Sequence, residues 1–317
     1  MKILVTGASG FIGRLLCTRL VSAGWRVRGT LLEGESAASL AEGVEPVVVE
    51  PLGPTTSWEQ PLQGIEMVIH LAARVHVMAD QASDPLAEYR LVNTEGTTRL
   101  AREAAKAGVK RLLFISSIKV NGEESPLPYT ETSPAGPTDP YGVSKWEAEQ
   151  SLRRTEAETG LQVVILRPTL VYGPGVRANF LAMLRVVHRG LPLPLASIRN
   201  RRSLLYTGNL VDALAACAAH PAASGRTFLL SDGEDVSTPE LIRRTASALK
   251  VPARLLPFPP ALMRLAGVVA RKSAAVDRLT GSLTVDSSCI RRELGWKPPF
   301  TMEEGLRVTA EWFIKEA

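Results

Sequence analysis

TGASGFIG, Thr6 to Gly13, sets Gly7, Gly10 and Gly13 between the apolar run KILVT (Lys2–Thr6) and a helical run, FIGRLLCTRLVSAG, that ends at Gly24. Glycine lacks a Cβ, so it permits a tight strand-to-helix turn and a close backbone approach to a ligand. The N–H groups and partial positive charge at the start of the helix suit a pyrophosphate. The spacing is GxxGxxG rather than GxGxxG, but the physics is the same. The strand before it and the helix after it supply the context that separates a dinucleotide loop from an ordinary turn. Gly7, Gly10, Phe11, Ile12 and Gly13 are therefore expected at the cofactor.

Outward from this loop, short aliphatic runs alternate with helical ones. WRVRGTL, VEPVVVE, EMVIHLAA, RLLFISS and LQVVILRP read as strands. A long helix is expected over 85–107, with Leu91, Leu100 and Ala104 inward, and another over Pro140–Thr159. Apolar strands without polar alternation, separated by helices, predict an α/β fold with a doubly wound, parallel, Rossmann-type sheet. After Pro168 the pattern becomes irregular, with a proline-rich RGLPLPLASIRNRRS. A helix near Asn209–Ala219 and the strand RTFLLSD then return to the sheet. The expected division is a dinucleotide-binding domain of 1–168 plus about 205–236, and a discontinuous substrate lobe of about 169–204 plus 237–317.

Bulk properties exclude several classes. The chain has 317 residues, a formal net charge of +5 and 22% charged residues. Its basic groups are short: Arg199, Arg201 and Arg202; Arg271 and Lys272; Arg291 and Arg292. Without basic tails or interleaved aromatics, no nucleic-acid partner is expected. Cys17, Cys217 and Cys289 are too few and too scattered for a disulfide framework or a metal site, which fits a reducing cytoplasm. No window approaches the roughly 20 apolar residues of a membrane span. ALMRLAGVVA (261–270) carries Arg264 and reads as a core or interfacial helix.

The adenosine end of the cofactor is ambiguous. An acid at the end of the second strand grips the ribose of NAD, and a base there favours NADP. Here Leu31 and Leu32 occupy those positions, Glu33 comes late and Arg28 lies within the strand. The choice between NAD and NADP stays open, leaning to NADP because no well-placed acid repels the phosphate.

YGVSK places Tyr141 and Lys145 four residues apart, on one helical face. A nearby ammonium favours phenolate, which makes the phenol a usable acid or base, and the lysine can reach the ribose of the nicotinamide. FISSIKVNG ends a strand with Ser116 and Ser117. In a parallel sheet the carboxyl ends of strands face the ligand crevice, so Ser117 can share a substrate oxygen with Tyr141.

TGASGFIG, VIHLAA, NTEGT, FISSIKVNG, YGVSK, LRPTLVYGPG and NRRSLLYTGNLVDA follow one another as in the extended short-chain dehydrogenases/reductases. The chain resembles their nucleotide-sugar epimerase/dehydratase superfamily along nearly its whole length. That resemblance implies a Ser117, Tyr141, Lys145 triad. It puts Leu71, Ala72, Ala73 and Pro168 at the cofactor, with Asn93 supporting the catalytic strand. It assigns Asn179, Arg202 and Arg278 to the diphosphate of a UDP-sugar. It also implies a homodimer, formed through a four-helix bundle of the 85–107 and Pro140–Thr159 helices.

The same resemblance narrows the reaction. Dehydratases of the superfamily carry an Asp-Glu pair after the catalytic hydroxyl residue, where this chain has Ile118 and Lys119. Dehydration is thus not expected. The subgroup likeness of AARVHVM, SSIKVNG and YGPGVRANF favours NAD(P)H-dependent reduction at C4 of a UDP-4-keto-6-deoxy-N-acetylhexosamine, and the missing ribose acid argues the same way. The alternative is a UDP-sugar 4-epimerase with retained NAD. A non-catalytic dinucleotide sensor is the third reading, weakened by the presence of both Tyr141 and Lys145.

Overall fold

The computed structural model describes residues 1–75, 83–269 and 273–316. The Arg271/Lys272 pair and the end of AARVHVM lie outside the described residues. In chain order the first part runs β1 (Lys2–Thr6), α1 (Phe11–Ser22), β2 (Arg26–Leu32), β3 (Glu45–Val49), α2 (Glu59–Leu62) and β4 (Met67–His70). Next come α3 (Pro85–Tyr89), a π-helical stretch (Arg90–Gly96), α4 (Thr97–Lys106), β5 (Arg111–Ile115), α5 (Pro140–Thr159) and β6 (Gln162–Pro168).

Among the described residues, seven strands form one parallel sheet in the order β3-β2-β1-β4-β5-β6-β9, where β9 is Thr227–Leu230. The order reverses between β1 and β4, which opens a crevice at the carboxyl edge beside the glycine loop. Both faces are covered, as the unalternating strands require. Leu16, Leu20, Leu210 and Leu214 pack on one face. Leu62, Leu100, Ala104 and Leu152 pack on the other.

The second lobe holds β7 (Leu170–Tyr172), α6 (Ala178–His188), β8 (Arg202–Tyr206), β10 (Asp235–Val236) and α8 (Thr238–Ala248). It continues through α9 (Pro260–Val269), α10 (Ser273–Thr280) and α12 (Met302–Glu316), whereas α11 (Ser288–Leu294), expected in this lobe, packs on the large-sheet core through Ile290. Between β8 and β9, α7 (Thr207–Ala219) returns to the large sheet. A small sheet, β10-β8-β7, and a separate cluster around Tyr172, Phe180, Leu241 and Phe313 hold this lobe together. In α9, Met263 packs inward while Leu262, Leu265 and Val268 are exposed.

The helix expected over 85–107 is continuous, but a π stretch widens its middle. Asp84 caps its start by accepting the Ala87 N–H at 3.1 Å. Leu100 and Ala104 are buried as expected. Leu91 is not: it is 43% exposed, because the wider turn changes which residues face inward. α5 has the predicted bounds. Asp139 caps it by accepting the Gly142 N–H at 2.6 Å, Pro140 fills its first turn and Gly160 closes it at φ +75°.

Candidate active site

The glycine loop is tight enough to require its glycines. A Cβ on Gly13 would stand 2.1 Å from the Gly7 carbonyl oxygen, and Gly7 adopts φ +68°. α1 opens on Gly10 with no side-chain cap and no acid in its first turn, leaving N–H groups for a phosphate. Thr6 Oγ1 accepts the Leu71 and Ala72 N–H groups, each at 3.2 Å, and so ties the loop to the end of β4. Ile12 packs on the large-sheet core, whereas Phe11 packs on the second-lobe cluster beside Gly175. These features fit a dinucleotide pyrophosphate.

At the end of β2 the structure supplies an acid that spacing alone did not. The chain turns back through Gly34 at φ +84°, and Glu35 accepts the Leu32 N–H at 2.8 Å. Its other oxygen receives Ser9 Oγ of the glycine loop at 3.4 Å. Arg28, by contrast, does not reach the crevice. It is buried and donates to Glu45 and to the carbonyls of Gln60, Pro61 and Gln63, so it braces β3 and α2.

Ser117, Tyr141 and Lys145 come together. The Tyr141 phenol lies near enough to Ser117 for the two side chains to interact. Ser117 Oγ also accepts the Lys119 N–H at 3.2 Å, which fixes it after β5. Lys145 Nζ donates to the Ile115 carbonyl at 2.9 Å and lies 5.8 Å from the Tyr141 ring centroid. Burial pushes the Lys145 ammonium down to about 7, with Glu149 opposing. Burial raises the Tyr141 phenol, and Asp139 and Tyr89 add to the rise, while the nearby Ser117 works against it. Desolvation dominates the phenol, and the expected pull of the ammonium toward phenolate is not among the influences on it.

Asn93 serves a different neighbour from the one expected. Its Oδ1 accepts the Arg74 N–H at 2.8 Å, and its Nδ2 donates to the Arg74 carbonyl and to Ser144 Oγ, both at 3.0 Å. It therefore fastens the segment after Ala72 and Ala73 to α5 rather than bracing β5. His70 lies beneath, held between the Thr6 and Thr97 hydroxyls, and burial pushes it down to about 3. Pro168 ends β6 at the same carboxyl edge, opposite Leu230. Lys119, at the dehydratase acid position, is paired with Asp139 and Glu123.

In the second lobe Arg202 and Arg278 are brought together. Arg202 Nη1 donates to the carbonyls of Arg278 (2.9 Å) and Gly281 (3.0 Å), and the Arg278 side chain is exposed. Asn179 is exposed in the first turn of α6, after Ala178 at φ +51°. Asn200, which spacing did not single out, is the hub of this region. Buried, it donates to Thr238 Oγ1 and to the Leu279 and Gly281 carbonyls, and it accepts the Thr238 N–H.

Residues 3–230 match the profile of the NAD dependent epimerase/dehydratase family. A UDP-glucose 4-epimerase of Vibrio cholerae is 45% identical, over 99% of this chain and 96% of that protein. A UDP-glucose 4-epimerase of Mycolicibacterium smegmatis is 30% identical, over 99% of this chain and 98% of that protein. Among solved structures, UDP-glucose 4-epimerase from Thermotoga maritima with UDP-glucose superposes with a TM-score of 0.80 at 25% identity, covering 100% of this chain and 99% of that one.

Proposed function

Because the chain belongs to the NAD dependent epimerase/dehydratase family, we propose that it interconverts UDP-hexoses at C4 while retaining NAD. The observation that carries this reading is the Ser117–Tyr141 pair above Lys145 at the carboxyl edge of the sheet. The 45% identity to a 4-epimerase favours it over the 4-reductase expected from the sequence. Glu35 removes one of the two grounds for the reductase, the missing ribose acid. A carboxylate beside Ser9, at the end of β2, suits the ribose diol of NAD and repels the 2′-phosphate of NADP.

A bound nicotinamide would accept the C4 hydride and return it. Tyr141 takes the proton of the sugar O4, and Ser117 hydrogen-bonds the same oxygen. Arg202, Arg278 and Asn179 hold the diphosphate while the keto sugar turns over. Once C4 has presented its other face for hydride return, Tyr141 gives the proton back to O4. Lys119 is held by Asp139 and Glu123, so no free acid–base pair follows Ser117 to expel water. A homodimer built on the α3–α4 and α5 helices fits the outward position of Leu91, and a monomeric mass in solution would oppose it.

The test is purified protein with UDP-glucose or UDP-galactose and no added cofactor. Interconversion, with NAD released on denaturation, is the expected result. Stoichiometric oxidation of NADPH or NADH by a UDP-4-keto-6-deoxy sugar, without interconversion, would replace this reading by the reductase.

A further inference from the structure

Beneath the reacting side chains lies a buried charged array that proton transfer through Tyr141 does not itself use. Lys145 and Glu149 are one helical turn apart on α5 and dock on consecutive residues at the end of β5. Lys145 Nζ donates to the Ile115 carbonyl at 2.9 Å, and Ser116 Oγ donates to Glu149 Oε1 at 2.5 Å. From β6, Arg167 closes on the same carboxylate, with Nε 2.9 Å from Oε1 and Nη2 2.5 Å from Oε2. Its Nη1 donates to Asn121 Oδ1 at 3.0 Å, and the Trp146 ring lies 5.7 Å from the guanidinium. Lys145 and Glu149 are each 2% exposed, and Arg167 is 5% exposed.

Such an array is poorly explained by stability. Desolvating each ion costs several kcal/mol, and a buried pair is often matched by apolar residues of similar volume. Its position suggests an electrostatic task instead. On α5, Lys145 faces Tyr141 and Glu149. From β4 it faces the neutral His70, and from β5 the Phe114 ring, whose centroid is 4.5 Å away. Arg167 approaches from β6, behind Glu149. Against the burial that favours a neutral amine, Glu149 is the opposing influence.

We propose that Glu149 is a positioning residue. Clamped by Ser116 and Arg167, its carboxylate keeps Lys145 charged and seated on the Ile115 carbonyl beneath Tyr141. The inference rests on the hydride-transfer reading of Tyr141 and Lys145. Arg167 sets the strength of the effect, because its guanidinium cancels part of the carboxylate's field.

Two measurements test this. NMR of protein labelled at lysine 13Cε, with Lys145 identified by its loss in Lys145→Met, reads the ammonium without turnover. The pH profile of UDP-hexose turnover reads the consequence. Glu149→Gln removes the anion that favours the ammonium, so the NMR midpoint and the alkaline limb of turnover move to lower pH by about one unit. Glu149→Asp, which keeps the charge, restores most of the wild-type profile. Arg167→Gln moves the midpoint the other way, and it serves as the test should Glu149→Gln not fold. A purely structural role would lower the melting temperature and leave the midpoints in place, and unmoved midpoints in the variants overturn the proposal. A Lys145→Met protein with full turnover overturns the hydride-transfer reading instead, a failure the NMR titration distinguishes.

Discussion

The two halves of the molecule present their functional side chains by different means. In the seven-stranded half, chemistry sits where strands stop: the glycine loop after β1, Ala72 after β4, Ser117 after β5 and Pro168 at the end of β6. Parallel backbone ladders fix these points. In the second lobe the segments bearing Arg202 and Arg278 share a short backbone bridge at Arg202–Leu283, and side chains complete the join, with Asn200 and Arg202 reaching the carbonyls of Leu279, Gly281 and Arg278. Asp232 likewise anchors the base of the lobe through the Tyr206 N–H, Asn209 and Tyr172. The sheet half should therefore govern the chemical step and the lobe half the grip on substrate.

The sharpest test is Tyr141→Phe, which removes the proton-transfer group and little else. A fall in kcat of roughly 10²–10⁴-fold is expected, with the melting temperature nearly unchanged. Gly13→Ala comes next. Its Cβ would meet the Gly7 oxygen at 2.1 Å, so the loop must open. A loss of about 1–3 kcal/mol in stability, and release of retained dinucleotide on gel filtration, are expected. Asn200→Ala strands several polar groups and should cost about 1–3 kcal/mol in a denaturant titration. KM should rise about tenfold while kcat holds. A fall in kcat with KM unchanged would break the division between the halves. Glu35→Gln is the mildest: NAD affinity should drop several-fold, about 1 kcal/mol, and NADP should gain relative to it. Equal titrations of both dinucleotides before and after the change would remove Glu35 from the cofactor site.

What the amino-acid sequence revealed divides along the same line. KILVT and LQVVILRP are legible as buried parallel strands because both faces of each residue run are apolar. Tyr141 and Lys145 are legible because helical periodicity alone places them together. Glu35 is not, because only the backward turn at Gly34 returns it to the glycine loop. Arg28 misleads for a related reason. A strand-borne arginine is aimed by its neighbours, here Glu45 on β3 and the carbonyls after α2. Glu149 and Arg167 belong to different elements, and only the adjacency of β5 and β6 unites them. Asn200 lies in a loop and joins the start of α8 to the end of α10, a meeting for which no periodic signal exists.

The π-helical stretch at Arg90–Gly96 has a mechanical consequence. It absorbs surplus backbone within a helix that never breaks, so the portions before and after it are keyed out of phase. Winding the same residues as ordinary α-helix, without removing the surplus one, would swing everything downstream by about 100°. Asn93 could then no longer latch the Arg74 backbone to Ser144 while Leu100 and Ala104 kept their seats under the sheet. The irregular turn lets a single rod serve two alignments, one toward the core and one toward the crevice.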